Sequence, residues 1–383
     1  MILIDPPSVP ARGRWWSHLV SDTSHEELHA FAERLGIPRV AFDRDHYDLP
    51  ADHYEAALAA GAVAVSPKEL VARLARSGLR RAKYAVRPRR LVPGDTVRVV
   101  APSGPARPDR VAAGVEVLES WGLRVQLAEG VGRGGPMRYL AAADEQRAAD
   151  LQQAWCDPEV AAVWATRGGY GAQRLLDLLD LPMMAAAEPR LLVGYSDVTA
   201  LHRAVGTRLG VASLHGPGVA ALGDLSESAR ARLRSLVLDG GATELAGRWL
   251  VPAPAPAAVA GPLVGGNLAV LAAAVGTPEA GSARGAVALL EDVNEPPYKI
   301  DRLLTQLLRS GWFRGVRAVV CGDFTRCGDP ADVESVLRDR LVDLGVPIVV
   351  GLPIGHGEEN APVLLGARAE VRVDATVRVV GLR

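Results

Sequence analysis

From Pro93 onward, short apolar runs alternate with helix-patterned segments, and that alternation leaves the chain very few folds. PGDTVRVVAP (93–102) reads as a turn and a strand, VAAGVEVLESWG as a helix and LRVQLA as a strand. EQRAADLQQAWCD then reads as a helix, and VAAVWATRGG as a strand entering a glycine turn. Strands that return through helices make βαβ units and hence a parallel sheet with helices on its faces. The expected fold class is α/β. Open sheets of this kind build their sites at the C-terminal ends of the strands, so chemistry-bearing side chains are sought there.

The strongest candidate is RLLVGYSD (190–197), followed by VTALHRAV. An apolar strand runs into Gly194, Tyr and Ser follow, and helix formers take over at once, which is the layout of a nucleophile elbow. Such a turn lifts the Ser196 hydroxyl clear of the sheet to the positive end of a helix, where the Asp197 backbone N–H can face a developing oxyanion. The pattern is G-Y-S-D, not the G-x-S-x-G of α/β-hydrolases, and Ser or Asp before a helix is commonly an N-cap.

Two later stretches supply partners for a serine. AVALLEDVNEPPYKIDR (286–302) carries an apolar run into Glu291, with Asp292 and Glu295 close behind; IVVGLPIGHG (348–357) opens into a Gly-flanked His356. A hydroxyl becomes nucleophilic when an imidazole takes its proton, and the imidazole needs a carboxylate on its other nitrogen. Glu291 continues the apolar strand directly, whereas Asp292 and Glu295 compete from the turn. TRGGYGAQRLL matches neither the P-loop nor the dinucleotide fingerprint. It is read either as a tight turn or as a second oxyanion loop in which the Gly169 N–H donates. Arg167 and Arg302 flank these motifs as candidate readers of a substrate carboxylate, since a guanidinium matches that group in two prongs. Asn267 and His215 are expected to cap or hydrogen-bond in the core. No H-x-x-H or H-E-x-x-H spacing occurs, so no metal or cofactor is assigned to this chemistry.

From about Leu91 to the C-terminus the chain resembles the serine peptidases called LD-carboxypeptidases, or muramoyltetrapeptide carboxypeptidases. The resemblance is carried by ATRGGYGAQRLLDLLD, LVGYSDVTALH, HGPG, GGNLAVLAAAVGTP, LEDVNEPPYKIDRLLTQL and IGHGEENAPVLLGARA. It implies that Ser196 is the nucleophile, His356 the base and Glu291 its orienting carboxylate. It also implies release of the terminal D-alanine of a murein tetrapeptide by cleavage of an L,D-amide, in cell-wall recycling. The alternatives are a self-immunity amidase of the microcin type, acting on peptide-nucleotide antibiotics, and a non-catalytic scaffold whose N-terminal module binds the partner.

Three modules are expected: a small α/β domain over 1–82, a parallel-sheet nucleophile domain over 91–240, and an α/β or β-rich C-terminal domain over 261–383 carrying Glu291 and His356. A basic run, Arg73–Arg90, with eight Arg or Lys residues, is read as a solvated helix end and linker, and APAPAAVA (253–260) as a second linker. The first module opens with MILIDPP and continues through GRWWSHLVSDTSHEELHAFAERLGIPR and AFDRDHYDLP, resembling a small actinobacterial domain of unknown function. His25 and His29 stand at i and i+4, a spacing that could hold a metal; a helix capped by Ser24 with Glu27 is the preferred reading. Asp5, His18, Asp22, Asp43 and His46 could form a polar site of unassigned chemistry. A net charge of −1 lacks the footprint of a nucleic-acid binder, and Cys156, Cys321 and Cys327 make no disulfide framework. With no signal-like start and no membrane-length apolar run, a cytoplasmic protein is expected, with a homodimer compatible and no membrane partner.

Overall fold

The runs Val160–Ala165 and Leu191–Gly194 are apolar on successive residues, not alternate ones, because both faces of their sheet are covered, and Thr96–Val100 beside them departs from this at Thr96 and at the half-buried Arg98. In the computed structural model, which describes all residues except 12, 13, 44, 78, 80–84 and 253–257, they form the centre of a six-stranded sheet. Its order is Val363–Leu365, Ser213–His215, Leu191–Gly194, Val160–Ala165, Thr96–Val100 and Arg124–Leu127. All neighbours are parallel except Val363–Leu365, which comes from the far end of the chain and runs antiparallel to Ser213–His215. The helices Pro108–Ser120 and Asp144–Cys156 connect its strands.

A second sheet of eight strands follows the order Thr243–Ala246, Thr376–Val379, Arg368–Val371, Val259–Asn267, Val287–Val293, Ala318–Thr325, Ile348–Val350 and Arg248–Val251. Its inner strands, Val259–Asn267 through Ile348–Val350, are parallel, and antiparallel strands close both edges. One apolar core runs through both sheets, with Val97, Trp164 and Leu191 of the first and Leu263, Leu289 and Val320 of the second in the same cluster. The two sheets are thus sewn together twice, by the strand Val363–Leu365 and by this core. The APAPAAVA linker lies outside the described residues but for its last three, of which Val259 and Ala260 already belong to the strand Val259–Asn267.

The chain parts into compact units at Met1–Lys83 and Tyr84–Arg383. Of the basic run, Arg73 and Arg76 finish the helix Pro67–Arg76, residues 78 and 80–84 lie outside the described residues, and Ala85 to Arg90 are stitched into the second unit. Val86 N–H donates to the Gly210 carbonyl, Ala212 N–H to the Val86 carbonyl and Leu91 N–H to the Val237 carbonyl, at 2.7–2.8 Å. A fragment starting at Ala85 should therefore fold and keep near full-length turnover, which melting and rate comparison with the intact chain would check. Starting at Arg89 instead removes the Val86 bridge and should lower its melting temperature.

In the first unit a six-stranded sheet orders Phe42–Asp43, His46–Pro50, Arg14–Ser21, Ile2–Ile4 and Val63–Ala64, with Val9–Ala11 pairing to Arg14–Ser21. Ser24 caps the helix His25–Arg34 by accepting from Glu27 N–H, as the motif predicts, but the Glu27 carboxylate turns to Ser21 and the N-terminal amine. His29 Nδ1 lies 2.7 Å from the Tyr47 hydroxyl, and its ring packs on Phe42. Among the described residues, no helix is long and apolar enough to cross a membrane.

Candidate active site

Tyr195 is extended (φ −154°), and Ser196 then takes φ +63° before the 3-10 turn Ser196–Val198 and the helix Thr199–Ala204. Serine in the left-handed region costs about 1–3 kcal/mol and persists only where the surroundings enforce it. Here two glycines let the backbone close in. A Cβ on Gly194 would stand 2.8 Å from Val198 Cγ1, and one on Gly168 would stand 2.7 Å from Ser196 Cβ. The buried Asp197 carboxylate accepts from Ala172 N–H at 2.8 Å, which ties the TRGGYG loop to the serine turn.

Glu291 lies within the strand Val287–Val293, fully buried, and His356 stands on the loop after Ile348–Val350. His356 Nδ1 is 2.7 Å from Glu291 Oε2, so Nδ1–H donates to the carboxylate and Nε2 is left as the lone-pair nitrogen. Burial alone would push the Glu291 carboxyl up; His215 and His356 outweigh it and hold it down at about 2. Of the two, His356 is at hydrogen-bond distance, whereas His215 Nε2 stands 3.8 Å from Glu291 Oε1. Both nitrogens of buried His215, and Glu291 Oε1, lack hydrogen-bond partners among the described residues, contrary to the core-bonding role expected of this histidine.

Gly355 permits the approach of His356. Its φ is +113°, and a Cβ there would fall 2.4 Å from Glu291 Oε2. Gly355→Ala is therefore expected to displace the imidazole, with turnover falling much further than melting temperature; equal activity in that variant would show that the approach is not required.

The Tyr195 ring packs against the His356 ring with centroids 4.9 Å apart, so the turn that carries Ser196 abuts the imidazole. Among the described residues no hydrogen bond joins Ser196 to His356; such bonds commonly tighten only when substrate is bound. The Asp292 carboxylate is bound elsewhere, beside an irregularity in the pairing of its strand with Ala318–Thr325. It accepts from Asn267 Nδ2 and Ala269 N–H, each at 2.9 Å, and burial raises its carboxyl to about 6. Asn267 in turn caps the helix Leu268–Ala273, as expected. Glu295 pairs with Lys299 at 3.3 Å. Of the three acidic candidates, only Glu291 meets the imidazole.

Gly169, at φ +123°, packs against Gly104, 3.3 Å from where its Cβ would be. Arg167 is exposed beside this loop. Burial and the Glu291 charge raise the pKa of the Tyr195 hydroxyl, and the charge of Arg167 opposes them. Arg302 is exposed on the helix Pro297–Arg309, its guanidinium 5.7 Å from the centre of the Tyr298 ring, while Ile300, Leu304 and Leu307 bury the other face.

The profile of the LD-carboxypeptidase N-terminal domain matches residues 97–216, and that of the LD-carboxypeptidase C-terminal domain matches 260–371. A Streptomyces coelicolor protein named "Putative carboxypeptidase" is 47% identical over 301 residues, 76% of this chain and 94% of its own. The murein tetrapeptide carboxypeptidase of Pseudomonas aeruginosa is 37% identical over 277 residues, covering 69% of this chain and 89% of its own. Among solved structures, the muramoyltetrapeptide carboxypeptidase of Oxalobacter formigenes superposes with a TM-score of 0.64 at 29% identity, over 75% of this chain and 99% of that one. An MccF-like protein of Bacillus anthracis reaches 0.70 at 21% identity, over 78% of this chain and all of that one, a likeness of fold. Residues 2–77 match a domain described only as a protein of unknown function, DUF4031. With a relative at 47% identity spanning nearly its whole length and both domain profiles matched in order, the chain belongs to the LD-carboxypeptidase family of serine peptidases and is a hydrolase.

Proposed function

We propose that the Tyr84–Arg383 unit removes the terminal D-alanine of murein tetrapeptides by hydrolysing an L,D-amide, in cytoplasmic cell-wall recycling, through Ser196, His356 and Glu291. The observation that carries this reading is that the left-handed turn holding Ser196 packs, through the Tyr195 ring, against an imidazole whose Nδ1–H is held by a fully buried carboxylate. Ser196 Oγ attacks the carbonyl carbon before D-alanine while His356 Nε2 takes its proton; the Asp197 and Gly169 N–H groups receive the oxyanion. His356 then gives the proton to the departing amine, leaving an acyl-serine that water cleaves by the same route in reverse. Of the two arginines, Arg167 is the better reader of the terminal carboxylate, because it adjoins the Gly168–Gly169 loop and its charge reaches Tyr195.

The fold shared with the MccF-like proteins says nothing of substrate, so the peptide-nucleotide reading stays second. Intact Ser196, Glu291 and His356 weigh against a non-catalytic scaffold. The test is the pH profile of D-alanine release. A neutral imidazole is needed to accept the serine proton, so kcat/KM should fall on the acid side along a single-proton limb. With Glu291 held at about 2, no carboxylate of the triad adds a second proton to that limb above pH 4. Chelators should leave the rate unchanged; a rate lost to EDTA and restored by zinc would overturn the serine mechanism.

A further inference from the structure

The first unit contains a constellation that the peptidase chemistry does not use. His18 on the strand Arg14–Ser21 and Asp48 on the strand His46–Pro50 are direct cross-strand partners. His46 lies two residues before Asp48, so the three side chains share one face of the sheet. Behind them stand two buried carboxylates, Asp5 and Asp45. His18 Nδ1 is 2.8 Å from Asp5 Oδ2, and His46 Nδ1 is 2.7 Å from Asp45 Oδ1. A carboxylate on Nδ1 places the ring proton there and leaves the Nε2 lone pair for another partner.

Both Nε2 atoms converge on one oxygen. His46 Nε2 is 3.2 Å and His18 Nε2 3.9 Å from Asp48 Oδ1, and the three atoms lie within 4.8 Å of one another. Ligand atoms on a four-coordinate ion with bonds of about 2.0–2.2 Å stand roughly 3.3–3.6 Å apart, a spacing that adjustment of the partly exposed His18 and Asp48 side chains would reach. An ordinary surface ion-pair cluster does not require each imidazole to be held from behind by its own buried carboxylate while both free nitrogens meet at a third. Of the residues grouped from sequence, Asp22 stands elsewhere, paired with Arg73 at 2.7 Å, and the Asp43 side chain lies outside the described residues; Asp45 and Asp48 complete the cluster.

We propose that the N-terminal unit binds one divalent transition-metal ion of the zinc class through His18 Nε2, His46 Nε2 and Asp48, with Asp5 and Asp45 as positioning residues for the two imidazoles. The His18 and Asp48 side chains are 32% and 50% exposed, so the ion faces solvent and keeps a position open for water or a small anionic ligand. Three protein ligands with an open place are the layout of a metal that acts on a ligand, not one that only staples a fold.

The test uses the full-length chain, stripped with EDTA and dialysed. Zn²⁺ is titrated by calorimetry, and Co²⁺ by visible absorption, whose intensity reports a four- or five-coordinate site. One equivalent should bind. His18→Ala and Asp48→Asn should abolish stoichiometric binding while circular dichroism stays native; both sites are partly exposed, which spares the fold better than buried His46. Asp5→Asn should weaken affinity about 10–100-fold, the usual effect of removing a carboxylate behind a ligating histidine. His29→Ala and Ser196→Ala should titrate as wild type. No binding, binding that survives both His18→Ala and Asp48→Asn, or binding lost only in His356→Ala would overturn the proposal. D-alanine release by the stripped enzyme is a separate readout and should not change.

Discussion

Ser196→Ala is expected to lower kcat for D-alanine release by at least about 10⁴-fold, while the protein melts as wild type and still binds the tetrapeptide. The loss is this large because the hydroxyl is consumed in the acyl intermediate and no neighbouring group can replace it; residual rate comes from the oxyanion donors and binding alone. Stability should hold, since the substitution leaves the fold's contacts in place and alanine, like serine, carries one Cβ into the space beside Gly168. The strain at φ +63° remains in the variant. Rates within a few-fold of wild type would remove Ser196 from the mechanism.

Glu291→Gln should lower kcat by about 10⁴-fold, as the loss of a buried carboxylate behind a catalytic imidazole does elsewhere. An amide in that place can present NH₂ to His356 Nδ1, which favours the tautomer with the proton on Nε2, where the serine proton must go. The change also neutralises the charge that His215 faces at 3.8 Å. KM should change little, because the carboxylate is fully buried and does not touch solvent. Asp292→Asn is the control. Its partners are Asn267 and Ala269, so it should affect melting more than kcat. The reverse ranking of the two variants would mean that the orienting carboxylate has been misassigned.

The serine turn was legible in sequence because each part has a local cause: an apolar run for the strand, Gly194 where Val198 packs close, and helix formers immediately after the serine. The choice of Glu291 over Asp292 and Glu295 had weaker support in the sequence, from its direct continuation of the apolar run and from the family resemblance. It depends on which face of the strand Val287–Val293 meets the His356 loop, and a run apolar on successive residues carries no facing signal. His215 was underrated for a similar reason. Its neighbours in SLHGPG suggest core packing, and only the three-dimensional approach of Val287–Val293 shows a fully buried imidazole aimed at a carboxylate. The strand Val363–Leu365 joining the first sheet is a long-range pairing that no local pattern encodes. In the first unit, His18, His46 and Asp5 could be grouped from sequence as polar residues, but Asp48 becomes their neighbour only through the register of Arg14–Ser21 against His46–Pro50.

The most direct measurement is chromatography of the products formed from a murein tetrapeptide ending in D-alanine, with the Ser196→Ala protein in parallel and EDTA in a third sample. The expected result is tripeptide and free D-alanine in equal amounts from wild-type protein, unchanged by EDTA and absent with Ser196→Ala. No D-alanine from the tetrapeptide while a peptide-nucleotide conjugate is cleaved, or D-alanine release that persists in Ser196→Ala and stops with EDTA, would contradict a Ser196–His356–Glu291 carboxypeptidase.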